Sequence, residues 1–505
     1  MLDLGTSFLA SVERDPDALA IVDGEMRLSY RQWYDKISAL AAALRETGLK
    51  RGDHVLTAMQ NRWENASLHW ACQFLGLVVT PLNWRAKADE IDFGIEDADA
   101  KAVFYEASTE EAVRLSRLAQ NLPQFSAEAL ADIMEGSAPD AVPVADAADW
   151  SLMLYTSGTT SRPKGVPRRH RAERAGAVAH VAQNLYRHGE RTLGVMPLYH
   201  TMGVRSLIAS SLIGGTFVCL PRFDVAKALD LIEQEKITNL YLVPTLYHDL
   251  VHHEAFSPER VVSVTKLGYA GASMTDGLLK RLDQTFRPEL FVNHYGSSEI
   301  YTFTIEQTAT AKPGSAGRAG INQTIRVVKL GSRNPDERAA FGEEGEIIAL
   351  MKSDEAFEGY WKRPDADAKA LHGGWYFTGD TGFVDRDGDL FVTGRADDMI
   401  ITGGENVSPV EVESCLSLHE GVAEVAVVGL PDERWGKIVV AFVKRRGDIT
   451  AEDLDRHCRD SGLANFRRPR RFVFVEAIPK SPVGKLLRRL LVAGEYNEER
   501  IPAHQ

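Results

Sequence analysis

The run Tyr155-Thr156-Ser157-Gly158-Thr159-Thr160-Ser161-Arg162-Pro163-Lys164-Gly165 gathers hydroxyls, glycines and a lysine directly after the apolar Leu152-Met153-Leu154. That order predicts a strand ending in a loop. Glycine lets backbone N–H groups turn toward an anion, hydroxyls donate hydrogen bonds and lysine supplies charge. The chemistry that needs all three together is the holding of a polyphosphate. The loop is not a Walker A motif, in which lysine follows the second glycine; here Lys164 precedes Gly165. The plain alternative is a Ser/Thr-rich surface turn, but the Pro-Lys-Gly ending favours phosphate.

Other candidate groups follow at long intervals. Tyr269-Ala270-Gly271-Ala272-Ser273 ends an apolar run, and Tyr295-Gly296-Ser297-Ser298-Glu299 puts a ring, hydroxyls and a carboxylate in one turn. Gly373-Gly374-Trp375-Tyr376-Phe377-Thr378-Gly379-Asp380 presents a second carboxylate, and Asp385 to Asp389 reads as a hairpin turn. Pro479-Lys480-Ser481-Pro482-Val483-Gly484-Lys485 places a lysine in a turn close to the C-terminus. Each is weak alone: a single carboxylate in a turn is usually just a turn, and a single lysine a solvated charge.

The elements that must position these groups alternate. Ser29 and Gln32 predict a capping box, with Trp33, Ile37, Leu40 and Leu44 at helical spacing and a stop at Gly48. Strands are predicted over His54–Met59, Val78–Thr80, Thr192–Met196, Leu212–Leu220, Asn239–Val243 and Leu267–Ala270, with a helix over Glu64–Leu77. This rhythm predicts an α/β architecture with buried strands. The texture changes near Gly394-Arg395-Ala396-Asp397-Asp398. A smaller α+β unit follows, with helices over Pro409–Leu418 and Ala451–Ser461 and strands over Val422–Val428, Ile438–Val443 and Arg471–Val475. The expected domains are therefore 1–396 and 397–505.

The chain has 505 residues, too many for one core, and a formal net charge of -13. That charge argues against non-specific nucleic-acid or anionic-membrane binding. Four cysteines, Cys72, Cys219, Cys415 and Cys458, show no CxxC spacing and fit a reducing compartment. No signal peptide or membrane span is readable, so a cytoplasmic enzyme is expected. His248, His252 and His253 read as a histidine-rich surface helix rather than a zinc site, since no Glu follows His248.

As an ordered set, these motifs resemble the acyl-adenylate-forming (AMP-binding) superfamily, from about Leu4 to Arg489. The likeness is greatest to bacterial benzoate-type aryl-CoA ligases of the 4-chlorobenzoate:CoA ligase kind. Shared phrases are Met196-Pro197-Leu198-Tyr199-His200, Asp397-Asp398-Met399-Ile400-Ile401, Gly403-Gly404-Glu405-Asn406 and Arg434-Trp435-Gly436. The resemblance implies a large multi-layer α/β N-terminal domain with a small mobile α+β lid. It also implies a two-step ligase: an acid and ATP give an acyl-AMP, then CoA takes the acyl group. Thr156, Ser157, Gly158, Thr159, Thr160 and Lys164 would cradle phosphates, and Glu299, beside Ser298, would hold Mg²⁺. Asp380 would accept the ribose hydroxyls, Tyr295 would stack on adenine with Gly271 and Ala272 giving the base close backbone approach, and Arg395 would reach ribose or phosphate. Lys485 would bridge carboxylate and α-phosphate, Asp397 would be the hinge, and Gly403 and Gly404 would admit pantetheine. Two departures stand out: Ser161 replaces a usual glycine and Ser298 a usual threonine.

The same likeness places His200, Thr201, Met202, Tyr241, Ala270, Tyr301 and Thr302 around the acid, implying a small aromatic or heteroaromatic substrate. His200 reads equally as a packed histidine. Arg205 reads first as a helix-surface charge and second as a clamp for a second carboxylate, as in a malonate- or oxalate-like ligase. Arg85, Trp435, Phe466, Arg468 and Arg470 would contact CoA, although Phe466 to Arg471 is also readable as a solvated basic turn. A luciferase-type oxygenase and a non-catalytic acyl sensor are the rival classes. The sequence leaves monomer and homodimer open.

Overall fold

Ser29 opens the first long helix as its residues dictate. Its Oγ accepts the Gln32 N–H (3.3 Å) while Gln32 Oε1 accepts the Ser29 N–H (2.9 Å). The helix Tyr30–Glu46 then buries Trp33, Ile37, Leu40 and Leu44. The helix Trp63–Leu75 stops at Gly76, whose φ of 68° suits glycine and whose N–H returns to the Cys72 carbonyl. Phe8 packs between them, 5.3 Å from the Trp33 ring and 4.7 Å from that of Trp70.

The computed structural model describes residues 1–156, 163–395, 398–480 and 486–499. These residues form three sheets. A six-stranded sheet runs in the order Gln124–Ser126, Ala102–Tyr105, His54–Ala58, Val78–Pro81, Trp150–Thr156, Lys164–Arg169. Its strands are parallel except for the last pair, an antiparallel hairpin in which Thr156 faces Lys164. A fourteen-stranded sheet has a parallel centre of Arg191–Gly194, Thr216–Cys219, Asn239–Leu242, Lys266–Ala270 and Leu290–Tyr295. It continues into an antiparallel portion that includes Trp375–Val384 and Leu390–Arg395. The turn between those two strands is Asp385 to Asp389, and Lys312 Nζ lies 2.5, 3.0 and 2.6 Å from its three aspartates.

A five-stranded sheet forms the smaller unit, with Val422–Asp432 and Gly436–Arg445 at its core. Thr450 and Asp453 form the second predicted capping box, starting the helix Ala451–Asp460. The mixed α/β class with a smaller C-terminal unit is as expected. The strand expected over Leu212–Leu220 is shorter: Leu212 closes the helix Thr201–Leu212, and the strand begins at Thr216. Gly214, at φ 68°, and Gly215 make the turn between them; a Cβ at Gly215 would lie 2.7 Å from the Glu190 carbonyl. Among the described residues no helix is long and apolar enough to cross a membrane.

Candidate active site

Parallel strands present their C-terminal ends to one crevice, where the residues that follow them gather. Thr156 ends one strand, Ala270 a second and Tyr295 a third. Gly271, at φ 82°, turns the chain directly after Ala270. A side chain there would be strained; Gly271 is exposed and Ala272 half-buried.

Lys164 begins the return strand of the phosphate hairpin. Its Nζ lies 4.1 Å from the Tyr360 ring centroid. Tyr360 Oη donates to Glu299 Oε1 at 2.7 Å. The three residues thus join the two large sheets across the crevice. Burial holds the Lys164 ammonium below its ordinary value, opposed by Glu299 and reinforced by Arg363 and Arg395. Burial, then Glu299, raises the Tyr360 hydroxyl, keeping it a donor. Thr156 Oγ1 lies 3.5 Å from the Lys164 carbonyl.

Asp380 lies in mid-strand, directly opposite Arg395 in the antiparallel pair. Tyr295 Oη donates to Asp380 Oδ2 (2.6 Å) and Arg395 Nη1 to Oδ1 (2.8 Å). Asp380 is further fixed by its own N–H, which bonds Thr378 Oγ1 at 3.0 Å. Burial and then Asp380 raise the Tyr295 hydroxyl well above its ordinary value. For Arg395, burial pulls the guanidinium down and Asp380 more than restores it.

His200 is the N-cap residue of the helix Thr201–Leu212, and its ring lies 4.7 Å from that of Tyr199, tilted by 51°. Thr201 Oγ1 lies 3.4 Å from Ser298 Oγ. Met202, Tyr241, Ala270, Tyr301 and Thr302 are all buried. Arg205 is not the helix-surface charge first expected: it is 2% exposed. It donates to Thr302 Oγ1 (2.8 Å), the Tyr301 carbonyl (3.2 Å) and Tyr241 Oη. It points inward, where the strand Asn239–Leu242 supplies the Tyr241 hydroxyl and the segment before Thr304 supplies that of Thr302. Behind it stand His180 and His294, both held well below the ordinary imidazole value by burial and then, for each, by Arg205.

In the smaller unit, Gly403 N–H donates to the Trp435 carbonyl at 3.0 Å, and a Cβ on Gly403 would lie 2.8 Å from the indole. Gly404 has φ 88°. The Arg470 guanidinium lies 4.3 Å from the Trp435 ring. The basic run is partly neutralised: Arg468 pairs with Asp455 at 2.8 Å and Arg467 with Glu411. Phe466 is 37% exposed. Arg85 stacks on Trp84 at 3.6 Å and, with Arg222, lines a cavity of about 240 Å³. The helix Pro244–His252 does not present its histidines simply to solvent, as expected. His248 Nε2 meets the Ala423 carbonyl (3.0 Å) and His252 Nε2 meets Arg446 Nη2 (2.8 Å), both in the smaller unit.

Ser157, Gly158, Thr159, Thr160, Asp397 and Lys485 lie outside the described residues. Sequence reasoning missed Tyr360, Arg168, Glu173 and Glu355. The signal for Tyr360 was the three aromatics of Phe357-Glu358-Gly359-Tyr360-Trp361 ahead of Pro364.

With this geometry in place, comparison with known proteins is informative. The family model described as AMP-binding enzyme matches residues 8–361, and that of the AMP-binding enzyme C-terminal domain matches 411–485. The chain is 35% identical over 490 residues to a 4-chlorobenzoate--CoA ligase of Arthrobacter sp, covering 95% of this chain and 93% of that one. It is 32% identical over 477 residues to the long-chain-fatty-acid--CoA ligase FadD13 of Mycobacterium tuberculosis, covering 92% and 93%. The ATP-bound crystal structure of MatB from Rhodopseudomonas palustris superposes with a TM-score of 0.87 at 26% identity, covering 98% and 99%. The chain belongs to the AMP-binding enzyme family.

Proposed function

We propose that this protein is an AMP-forming acid:CoA ligase acting on a small aromatic or heteroaromatic carboxylic acid. The observation that carries this reading is the grouping of two cations and two carboxylates, Lys164 with Glu299 and Arg395 with Asp380, with Lys164 within electrostatic reach of both Glu299 and Arg395. Lys164 and Glu299 are joined through Tyr360, and Asp380 through Arg395. A polyphosphate, its metal ion and a ribose need those cations and carboxylates side by side.

In the first step a carboxylate oxygen of the acid attacks the α-phosphorus of ATP. The bond to the β-phosphate oxygen breaks, pyrophosphate leaves and acyl-AMP remains. Both reactants are anionic, so the site must neutralise charge where they meet. Thr156, Ser157, Gly158, Thr159, Thr160 and Lys164 are assigned to the β- and γ-phosphates, and Lys485 to the meeting point. Glu299, a hard oxygen donor with one oxygen already fixed by Tyr360, would hold Mg²⁺, whose positive charge would offset that of the phosphates. Asp380 has the two acceptor oxygens that two ribose hydroxyls need. Tyr295, Gly271 and Ala272 would bound the adenine, and Ser298 and Arg395 would complete the nucleotide site.

In the second step the CoA sulfur attacks the acyl carbon, the bond to AMP breaks, and the thiol proton passes to solvent. Gly403 and Gly404 are assigned to the pantetheine arm, and Arg85, Trp435, Phe466, Arg468 and Arg470 to the CoA nucleotide. The domains would be 1–396 and 397–505, with Asp397 as the hinge by which the smaller one turns between steps. His200, Thr201, Met202, Tyr241, Ala270, Tyr301 and Thr302 would hold the acid. Arg205, Tyr241, Tyr301 and Thr302 are each no more than 2% exposed, a closed wall that favours one ring over a long chain. Acid-dependent pyrophosphate release, with AMP and thioester formed only when CoA is added, is the test. Pyrophosphate release followed by light or oxygen uptake without thioester would replace this reading with the oxygenase one.

A further inference from the structure

One buried arginine has no part in the chemistry above, yet it is bonded to the loop that carries Glu299. Arg168 stands on the strand Lys164–Arg169, four residues beyond Lys164, or about 13 Å along an extended chain. It is too far along to share the lysine's task. Its side chain, like that of Glu173, is 0% exposed.

The bonds of Arg168 define its place. Nε donates to Glu173 Oε1 at 2.7 Å. Nη1 is shared among the carbonyls of Glu355 (2.7 Å), Glu299 (3.0 Å) and Ser298 (3.4 Å). The guanidinium lies 3.9 Å from the Tyr301 ring centroid, and Tyr301 Oη donates to the other Glu173 oxygen at 2.9 Å. Glu355 Oε2 in turn accepts the Thr302 N–H at 3.1 Å. A guanidinium is the one side chain with a rigid fork of donors able to serve these acceptors together.

We infer that Arg168, braced by Glu173 and Tyr301, is a positioning residue that fixes the backbone at Ser298 and Glu299, and so sets where the Glu299 carboxylate stands for a divalent cation. The inference rests on the proposed role of Glu299. Regular secondary structure does not hold residues 297–302, which lie between the strands Leu290–Tyr295 and Thr304–Glu306. The Ser298 and Glu299 carbonyls turn to Arg168, and that of Glu299 also accepts the Phe357 N–H at 2.9 Å. Tyr360 then fixes one carboxylate oxygen from the opposite side. Displacement of about 1 Å in such a site costs about 10²-fold in rate, and loss of an outer partner of a metal ligand costs about 10–100-fold in metal affinity.

The test uses the full chain with Mn²⁺ as the probe, in complex with α,β-methylene-ATP, and reads Mn²⁺ affinity by electron paramagnetic resonance. Arg168→Lys keeps the charge and loses the fork; its Mn²⁺ affinity is expected to fall about 10–100-fold, and its Mg²⁺ activation constant to rise in parallel. Because Tyr301, which packs on Arg168, is also assigned to the acid, a rise in the KM for the acid with Mn²⁺ affinity unchanged would overturn the inference. A lone charge change in the interior can unfold a protein. The double variant Arg168→Met/Glu173→Leu therefore removes both charges together, a replacement that is often neutral for stability. It should remain folded, less stable than the wild type because Tyr301 Oη loses its acceptor, and show the same loss of Mn²⁺ affinity. Glu358→Gln, which breaks only the exposed pairs to Arg169 and Arg171, should bind Mn²⁺ normally. Wild-type Mn²⁺ affinity in the folded double variant, with a loss in Glu299→Gln, overturns the positioning role alone. Unchanged affinity in Glu299→Gln overturns the metal role of Glu299 and this inference with it.

Discussion

Replacing Arg205 by methionine asks what a buried guanidinium does beside the acid. Its partners are Thr302 Oγ1, the Tyr301 carbonyl and Tyr241 Oη. Arg205→Met leaves the two buried hydroxyls without that donor, at about 1–3 kcal/mol each. Against this, an expensive buried charge is removed, and methionine refills much of the volume. The net expectation is a loss of about 1–3 kcal/mol of stability, read as a lowered denaturant midpoint. Glu355, whose carboxyl burial already raises, loses the opposing pull of Arg205 and should rise further.

Substrate selection is the sharper readout. If Arg205 only braces the pocket wall, a ring acid such as benzoate should lose no more than about tenfold in kcat/KM, or about 1.4 kcal/mol. If it were a clamp for a second carboxylate, the wild type would prefer a dicarboxylate, and the variant would lose at least about 30-fold on that substrate alone. The assay is CoA-dependent AMP formation across a panel of benzoates, five-membered heteroaromatic acids, malonate, acetate and palmitate. A wild-type preference for malonate that Arg205→Met selectively removes would refute the aromatic-acid reading.

Three further outcomes are expected. Lys485→Ala should lower acyl-AMP formation by about 10²–10³-fold and leave thioester formation from pre-made acyl-adenylate near wild type; equal loss in both half-reactions would remove its assigned role. Asp397→Pro should do the opposite, because proline fixes φ and restricts the residue before it; a near-normal thioester rate would dismiss Asp397 as the hinge. Contact between the smaller unit and the helix Pro244–His252 should weaken in acid. Burial holds His252 at about 4, below its ordinary 6.5; the bond to the His248 carbonyl opposes the shift, and the charges of His248, Arg281 and Arg446 add to it. The neutral ring that accepts from Arg446 is thus fully present above pH 6.5 and is lost as pH falls toward 4. Cross-linking yield between the two units should drop over that interval in the wild type, and the drop should shrink in His252→Gln.

The helices and buried strands were legible because their signals are local. The capping boxes at Ser29 and Thr450 are read from four residues each, and both are present. The carboxylates at Glu299 and Asp380 were legible as motif members, through their glycines and aromatic neighbours. Tyr360, Arg168 and Arg205 were not, for a physical reason. Tyr360 reaches Glu299 across 61 positions and Arg168 reaches Glu355 across 187, so no window of sequence contains both partners. Arg205 misled because an arginine in an apolar helix is normally turned to water. Only the fold shows that Thr302 and Tyr241 wait on the other side. The histidines of Pro244–His252 were misplaced in the same way, since their partners Ala423 and Arg446 belong to the smaller unit.

Arg395 carries a consequence for anyone recombining these enzymes. It is the final residue of its strand, the register partner of Asp380 and the donor to that carboxylate. A graft that exchanges the smaller unit should therefore join after position 395. A seam placed a few residues earlier would import a foreign strand end and loosen the grip on Asp380, even if every residue of both parents' domains were kept. The natural place to cut this chain is set less by where a compact unit ends than by the last hydrogen bond owed to a carboxylate upstream.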